Sequence, residues 1–425
     1  MSFPRNFSSA IAAATLLLLA PGTSLAVGLD EALRLGIGRA PSLAASGARE
    51  AAAGEALARA AALPDPRLTL GLADLPVTGQ DAFDLRADGM TSQQIGLMQD
   101  FPARAKREAQ RSLAQAQLDR TQAQTVSERA ALRQRVAQAW FALWSAQAQR
   151  KALETLRETS GIAERTARAR LGGGEGSATE ALALRAAALA LENRIDAAQG
   201  AVESAAVGLA RWTGSDGELP SASGSLPDLH RLPVPEDRLL ASIDRLAPLQ
   251  PWSQSERVAA AEVDAALAQK RPDFGLTLSY GRRDRAPDGM PRSDLLMLEL
   301  SVGLPLFSRN RQDRDIAARR ADLDATAAER EDARREQRAL LRAALAEWHA
   351  LDRQIERIER QSLPLARDRS TVALAAYGAG GALEPWLEAR RDETELALEH
   401  ARLLGELGRA WAALAWLLPE EETAP

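Results

Sequence analysis

The feature that most constrains the fold of this chain is an internal duplication. PDPRLTLGL, residues 64–72, returns as PDFGLTLSY, residues 272–280, at an offset of 208 residues. The segment at 101–119 returns at 306–324, at an offset of 205 residues. Two further pairs lie in the same order: Ala40-Pro41 with Ala247-Pro248, and a glycine-rich break near 172 with AYGAGGALEP at 376–385. Agreement of several matches in one order predicts two copies of one structural unit.

Each copy contains a very long helix that ends at glycines. Residues 103–171 hold no proline and one glycine, Gly161, which predicts a rod of about 100 Å. Glycines 172–174 follow, and a helical sequence then resumes. They predict a hairpin tip rather than a phosphate-binding loop, since no strand precedes them and no Lys-Ser/Thr follows. The predicted helices cover 29–62, 103–171, 177–213, 236–270, 309–377 and 383–418.

Two segments of each copy alternate with a period of two residues. Leu276 and Leu278 lie on one face of such a segment, and Thr277 and Ser279 on the other. The pattern predicts strands at about 65–75, 91–101, 273–283 and 294–305. Some ten residues with an apolar face opposite small polar residues are typical of membrane β-barrel strands. A half-buried strand of a soluble sheet has the same alternation.

Four strands are too few to close a membrane barrel. Open edges in lipid would leave backbone groups unpaired at several kcal/mol each, and single-chain barrels begin at about eight strands. Several chains must therefore contribute to one barrel, and three copies would supply twelve strands.

The first 26 residues predict export from the cytoplasm. MSFPRNFSSAIAAATLLLLAPGTSLA has a basic start, an apolar stretch too short to span a bilayer, and small residues before a cleavage site after Ala26. The chain has no cysteine, which excludes disulfides and a lipidated N-terminal cysteine. The predicted organisation is a signal peptide at 1–26, a first repeat at 27–212 (copy one), a Gly/Pro/Ser-rich linker at 213–236 and a second repeat at 237–425 (copy two).

This plan resembles the TolC family of outer-membrane efflux channels over essentially the whole mature chain. VGLDEALRLGIGRAPSL is similar to the family's opening helix, LPLFSRNRQ to the segment after its last barrel strand, and AYGAGGALEPWLEARRD to its second hairpin tip. LPVTG and DGMTSQQIGLMQDFPARAKR most resemble the branch that serves heavy-metal efflux, the CzcC/CusC-like proteins. The second tip is about one residue shorter than the usual family pattern.

The resemblance implies a mainly α fold with membrane β-structure. The expected assembly is a homotrimer whose 12-stranded outer-membrane β-barrel continues into a periplasmic α-helical barrel. It would work with a periplasmic adaptor (membrane fusion protein) and an inner-membrane RND pump as a passive gated duct for metal cations such as copper and silver, or cobalt, zinc and cadmium. The alternatives are an exit duct for drugs or other small organic molecules, and a periplasmic coiled-coil adaptor or structural protein.

Two groups of residues near the tips are candidate functional sites. The predicted adaptor-docking tips, at about 171–178 and 377–384, include Leu171, Gly174 and Glu175 and, in copy two, Tyr377, Gly380 and Gly381. Glu384 and Glu388, with Asp392, share one helix face, and in a trimer they would form an acidic ring at the tunnel entrance that attracts cations. The alternative is a solvated face neutralised by Arg390 and Arg391.

The sequence contains no pattern typical of an enzyme. His230, His349 and His400 lack metal-ligand spacing, and there is no cysteine nucleophile or Gly-x-Ser-x-Gly motif, so we expect no catalytic residue, metal site or cofactor. Met98 and Met297 have lumen-facing parity; thioethers suit Cu(I), but methionine is also an ordinary gap filler. The net charge of −5, with both signs interleaved, gives no reason to expect a nucleic-acid partner.

Overall fold

The computed structural model describes residues 26–174, 177–215, 217–379 and 381–419. The predicted signal peptide, apart from Ala26, lies outside these ranges. The helices are α1 Leu29–Arg39, α2 Pro41–Arg59, α3 Arg104–Gly172, α4 Ala178–Thr213, α5 Glu236–Ala241, α6 Gln250–Ala268, α7 Gln312–Arg357, α8 Leu363–Gly378 and α9 Glu384–Ala415. The strands are β1 Ala26–Val27, β2 Arg67–Ala73, β3 Ser92–Phe101, β4 Ser221–Ala222, β5 Asp273–Arg282 and β6 Leu295–Gly303.

The duplicated order of helix, strand, strand and long helical hairpin is confirmed. Two of the predicted helices are nevertheless interrupted. The expected helix at 29–62 is two helices that meet at Ala40, and the one at 236–270 is α5, two short 3₁₀ turns and α6. Pro41 accounts for the first interruption, because proline lacks an amide N–H and pushes the residue before it out of the helical region. Ala40 accordingly has an extended backbone with ψ of 116°. In copy two the chain leaves the helical region at Leu246, with ψ of 138°, and Pro248 lies in the 3₁₀ turn that follows.

The two long rods differ in continuity. α3 is one helix of 69 residues. The corresponding rod of copy two contains a π-helical turn at Ile358–Ser362 between α7 and α8. Pro364 follows this turn, and in a regular α-helix its ring would clash with the carbonyl group of Arg360. The wider turn accommodates the proline without ending the rod.

One antiparallel sheet holds the four long strands in the order β2-β3-β5-β6. β3 and β5 join the two copies, with Leu97 opposite Leu278. β2 and β6 are the two edges. One face is mainly apolar, although Gln93, Gln99 and Arg282 also lie on it. Its apolar side chains have exposed fractions of 38–74%: Leu68, Leu70, Leu72, Ile95, Leu97, Phe101, Phe274, Leu276, Leu278, Tyr280, Leu296, Leu298, Leu300 and Val302. The other face carries small and polar residues such as Gly96, Thr277 and Ser279.

The main hydrophobic core lies where the helices of both copies meet. Trp140, Phe141 and Leu407 are fully buried there. Segment 213–236, the predicted linker, packs onto this core through Leu229, Leu232 and Val234, and its β4 pairs with β1. Three indole N–H groups tie non-helical backbone to the helices: Trp140 donates to Val27 O, Trp348 to Leu229 O and Trp411 to Arg231 O, at 2.8, 3.0 and 2.9 Å.

Candidate functional site

The two hairpin tips lie side by side at the end of the rods remote from the sheet. Ala163, Ala167, Leu184, Leu383 and Trp386 form a small buried cluster there, which we call the tip cluster. It holds α3, α4 and α9 together because small alanine side chains allow the helices to approach closely. The glycine breaks of both copies are therefore parts of one surface.

Two tip glycines have a conformational reason to be glycine. Gly174 has φ of +80°, a region that L-residues rarely adopt. The N–H of Gly381 donates to Ala376 O at 3.0 Å, and a Cβ at this position would lie 2.8 Å from the same oxygen. Gly380 and Glu175 lie outside the described residues.

The other candidate docking residues differ in exposure. Leu171 is exposed at the end of α3. Tyr377 is half-buried and stacks on Trp386, with ring centroids 6.1 Å apart and an interplanar angle of 9°. The guanidinium carbon of Arg170 lies 5.8 Å from the Tyr377 ring centroid. Tyr377 thus contributes to the packing of the tip as well as to its surface.

The acidic face of α9 is partly neutralised, by a residue that the sequence analysis did not consider. Arg369 on α8 binds Asp392 at 2.7 Å and lies 3.9 Å from Glu388. Arg390, the neutralising residue considered above, instead pairs with Glu393 at 2.7 Å. Glu384 is exposed and has no ion-pair partner within the described ranges. No sequence pattern indicates the role of Arg369, because this residue lies on α8 and meets α9 only through the packing of the two helices.

A cleft of about 760 Å³ runs between the two hairpins at the tip. Leu184 and Ala187 of α4 line one wall, and Leu383, Glu384 and Leu387 line the other. Farther along the same helices, Arg194 of α4 bridges to Glu395 of α9 at 2.5 Å. The cleft is a groove of mixed character, because Arg170 and Arg391 line it together with Glu384.

The three histidines are each paired with a carboxylate. His349 Nε2 lies 2.9 Å from Glu236, His400 Nε2 lies 2.8 Å from Glu359, and His230 Nδ1 contacts Asp352. Within the described part of the chain, no group of three or more His, Cys, Asp or Glu side chains could hold a metal ion. Met98 and Met297 lie on the polar face of the sheet, opposite Thr277 and Ser279.

A second polar site, which no sequence pattern predicted, lies at the junction between β3 and α3. Asp273, the first residue of β5, accepts the N–H of Ala103 at 2.9 Å and the Lys106 Nζ at 2.6 Å. Lys106 has only 13% of its side chain exposed. This contact ties copy one to copy two at the base of the sheet.

Comparison with known proteins identifies the fold. Residues 248–419 match the family model "Outer membrane efflux protein". CusC has a TM-score of 0.75 and 16% identity, covering 98% of this chain and 99% of that one. The chain has the fold of an outer-membrane efflux channel. VceC from Vibrio cholerae shares this channel fold, with a TM-score of 0.71, 18% identity and coverage of 92% and 97%.

Another solved structure has a similar fold. The MtrE outer membrane channel of Neisseria gonorrhoeae, in its open state, has a TM-score of 0.73 and 16% identity, covering 92% of this chain and 88% of that one. No curated protein matches the sequence significantly. None of the described helices of this channel fold is long and apolar enough to cross a membrane.

Proposed function

We propose that this chain is the outer-membrane exit duct of a tripartite efflux system. The observation that carries the proposal is the four-stranded sheet at the end of the long rods. Its apolar face is exposed over all four strands, whereas a soluble protein rarely exposes a contiguous apolar patch of this extent. Lipid is the environment in which such a face is stable.

Three copies complete the duct. Both sheet edges are open in one chain, and an edge in lipid leaves backbone groups unpaired. Three sheets of four strands give a 12-stranded barrel, and the rods continue it into a periplasmic tunnel. The chain supplies a passive passage, and an inner-membrane RND pump supplies the energy.

The hairpin tips and the resemblance to the heavy-metal branch support the proposed partners and cargo. The groove between the hairpins, lined by both apolar and charged side chains, is the surface offered to a periplasmic adaptor. The exposed Glu384 and Glu388 favour cationic cargo at the tunnel entrance. Together with the LPVTG and DGMTSQQIGLMQDFPARAKR segments, they support heavy-metal cations, and the similarity to CusC agrees with this choice.

Mass measurement in mild detergent tests the assembly. We expect a particle of about three chain masses, extracted from the outer-membrane fraction, because only closed pairing satisfies the sheet edges. A monodisperse monomer with full β-content would contradict the proposal.

Deleting the gene should sensitise cells to copper and silver, or to cobalt, zinc and cadmium. Sensitisation to organic drugs alone would exclude the metal cargo.

A further inference from the structure

A pocket of about 270 Å³ interrupts the packing of α3, α4 and α9. These helices meet through two separate hydrophobic clusters, the tip cluster and a second cluster that contains Leu153, Leu191 and Ile195. On α3 the residues that line the pocket lie between Leu153 of the second cluster and Ala163 of the tip cluster. Protein interiors are normally packed as densely as organic crystals. The pocket is therefore a gap between two packed layers of the hairpins, and we call it the inter-hairpin pocket.

The walls of the inter-hairpin pocket combine apolar and basic side chains. Leu156 of α3 and Trp386 of α9 supply apolar surface. Among the described residues that line the pocket, none is acidic and three are arginines, Arg194, Arg390 and Arg391. This excess of arginine is local, because the whole chain has a net charge of −5. Apolar walls with a few fixed polar groups are typical of sites for small molecules, and here the polar groups favour a negative charge.

The side chain of Arg390 is held on two sides and has one unused donor. Its Nη1 donates to Glu393 at 2.7 Å, and its Nη2 donates to the hydroxyl group of Thr159 on α3 at 3.2 Å. Its Nε is buried and has no hydrogen-bond partner in the described part of the chain. Buried polar atoms are nearly always hydrogen-bonded, so an exception calls for an explanation. An oxygen atom bound in the pocket would supply the missing acceptor.

Arg391 supplies the positive charge that the protein does not balance. Arg390 is paired with Glu393 at 2.7 Å, and Arg194 is paired with Glu395 at 2.5 Å. Arg391 is exposed and has no ion-pair or hydrogen-bond partner among the described residues. One positive charge thus remains beside the apolar walls of the pocket.

We propose that the inter-hairpin pocket binds a small organic anion, an apolar body that carries one carboxylate. The volume corresponds to about nine non-hydrogen atoms, at about 30 Å³ for a group of the size of water in a liquid. The carboxylate accepts a hydrogen bond from Arg390 Nε and pairs with Arg391, and the body lies against Trp386 and Leu156.

A bound anion would connect the two copies of the duplicated unit. α3 and α4 belong to copy one, and α9 belongs to copy two. A ligand that contacts all three helices therefore stabilises the arrangement in which the two hairpins lie side by side. The inference goes beyond the duct proposed above and does not depend on it, because the described lining residues belong to a single chain.

The inter-hairpin pocket adjoins the cleft at the tip, and Arg391 lines both of them. Two exposed alanines of α4 distinguish these spaces, since Ala190 lines only the pocket and Ala183 lines only the cleft. The two alanines are about two helical turns apart and lie on the same face of α4. A bulky side chain at one position fills one space and leaves the other open.

Binding of 4-fluorobenzoate to the full-length protein in a neutral detergent, followed by fluorine NMR, tests the proposal. The neutral compound 4-fluorobenzamide has nearly the same shape without the charge. We expect saturable binding of the carboxylate, about tenfold tighter than that of the amide, because hydrogen bonds to charged groups are the stronger ones. Inorganic phosphate, which has no apolar body, should not displace the carboxylate.

Arg391→Gln should weaken the binding of 4-fluorobenzoate about tenfold. Arg185→Gln is the matched control, because Arg185 is an exposed arginine of α4 that lines neither space and has no partner in the described ranges. Ala190→Phe should abolish binding, whereas Ala183→Phe should preserve it.

Four results would overturn the proposal. They are the absence of saturable binding to the unmodified protein, equal affinity for the carboxylate and the amide, displacement by inorganic phosphate, and an equal loss of affinity in Arg185→Gln and Arg391→Gln. Loss of binding in Ala183→Phe but not in Ala190→Phe would place the ligand in the cleft and overturn the assignment to the pocket. The mass of the same particles tests the duct separately, since a monomer that binds the anion contradicts the duct alone.

Discussion

At the scale of single residues, the closest contact between helices depends on two glycines of α9. Gly405 faces Ser145, and Gly408 faces the ring of Phe141. A Cβ built at Gly408 would lie 2.3 Å from that ring. Phe141 is fully buried and packs edge-on against Trp140, with ring centroids 5.2 Å apart, so it has no free space into which to move.

Gly408→Ala should destabilise the protein by about 1–3 kcal/mol, because the added methyl group overpacks the core. Thermal unfolding of the detergent-solubilised protein measures the change. Gly200→Ala is the matched control, since Gly200 lies on a helix with nothing within 4 Å of the added Cβ. Its stability should be unchanged or slightly increased. Equal stability of both variants would show that α3 and α9 can separate without cost.

Patterns of residue type along the sequence predicted which face of each strand is apolar. They did not predict contacts between separate helices and strands. Leu276 and Leu278 are recognisable because a strand repeats every two residues. The Arg369–Asp392 and Lys106–Asp273 pairs depend on how separate elements pack, and no spacing along the chain encodes that.

At the scale of elements, the second tip depends on how α8 ends. The Gly381 N–H binds the Ala376 carbonyl oxygen, and any side chain at Gly381 would collide with that oxygen. Gly381→Val should therefore displace the turn and reduce efflux in cells at least tenfold, while trimer mass and membrane insertion stay normal. Gly200→Val, away from the tip, is the control. Normal efflux by Gly381→Val would remove this turn from the docking surface.

The sequence predicted that the long helices exist, but it did not predict where two of the helices are interrupted. The absence of proline from 103–171 predicted α3 nearly to its ends. The breaks at Ala40 and before Gln250 were missed, because proline is also favoured in the first turn of a helix and the surrounding alanines remain helical. The two-residue strands β1 and β4 are too short to have a period at all.

At the scale of the whole molecule, three copies would bring Glu384 and Glu388 towards one axis. Carboxylates that converge repel one another and attract cations. Glu384→Gln with Glu388→Gln should reduce the cation preference of single channels in planar bilayers and their response to divalent ions. Glu203→Gln, far behind the tip, and Asp392→Asn, whose carboxylate Arg369 already binds, are the controls. Unchanged selectivity in the double variant would mean that these carboxylates are only a solvated helix face.

The π-helical turn at Ile358–Ser362 sets the direction in which the side chains of α8 point around the helix axis. A π-turn holds one residue more than an α-turn, and one residue corresponds to about 100° of rotation around a helix. The side chains from Leu363 to Tyr377 therefore point about 100° away from where an uninterrupted helix would direct them. In this orientation Arg369 binds Asp392 and lies 3.9 Å from Glu388. Removing one residue from the turn would shorten the rod by a mere 1.5 Å or so, yet it would turn the arginine away from both carboxylates.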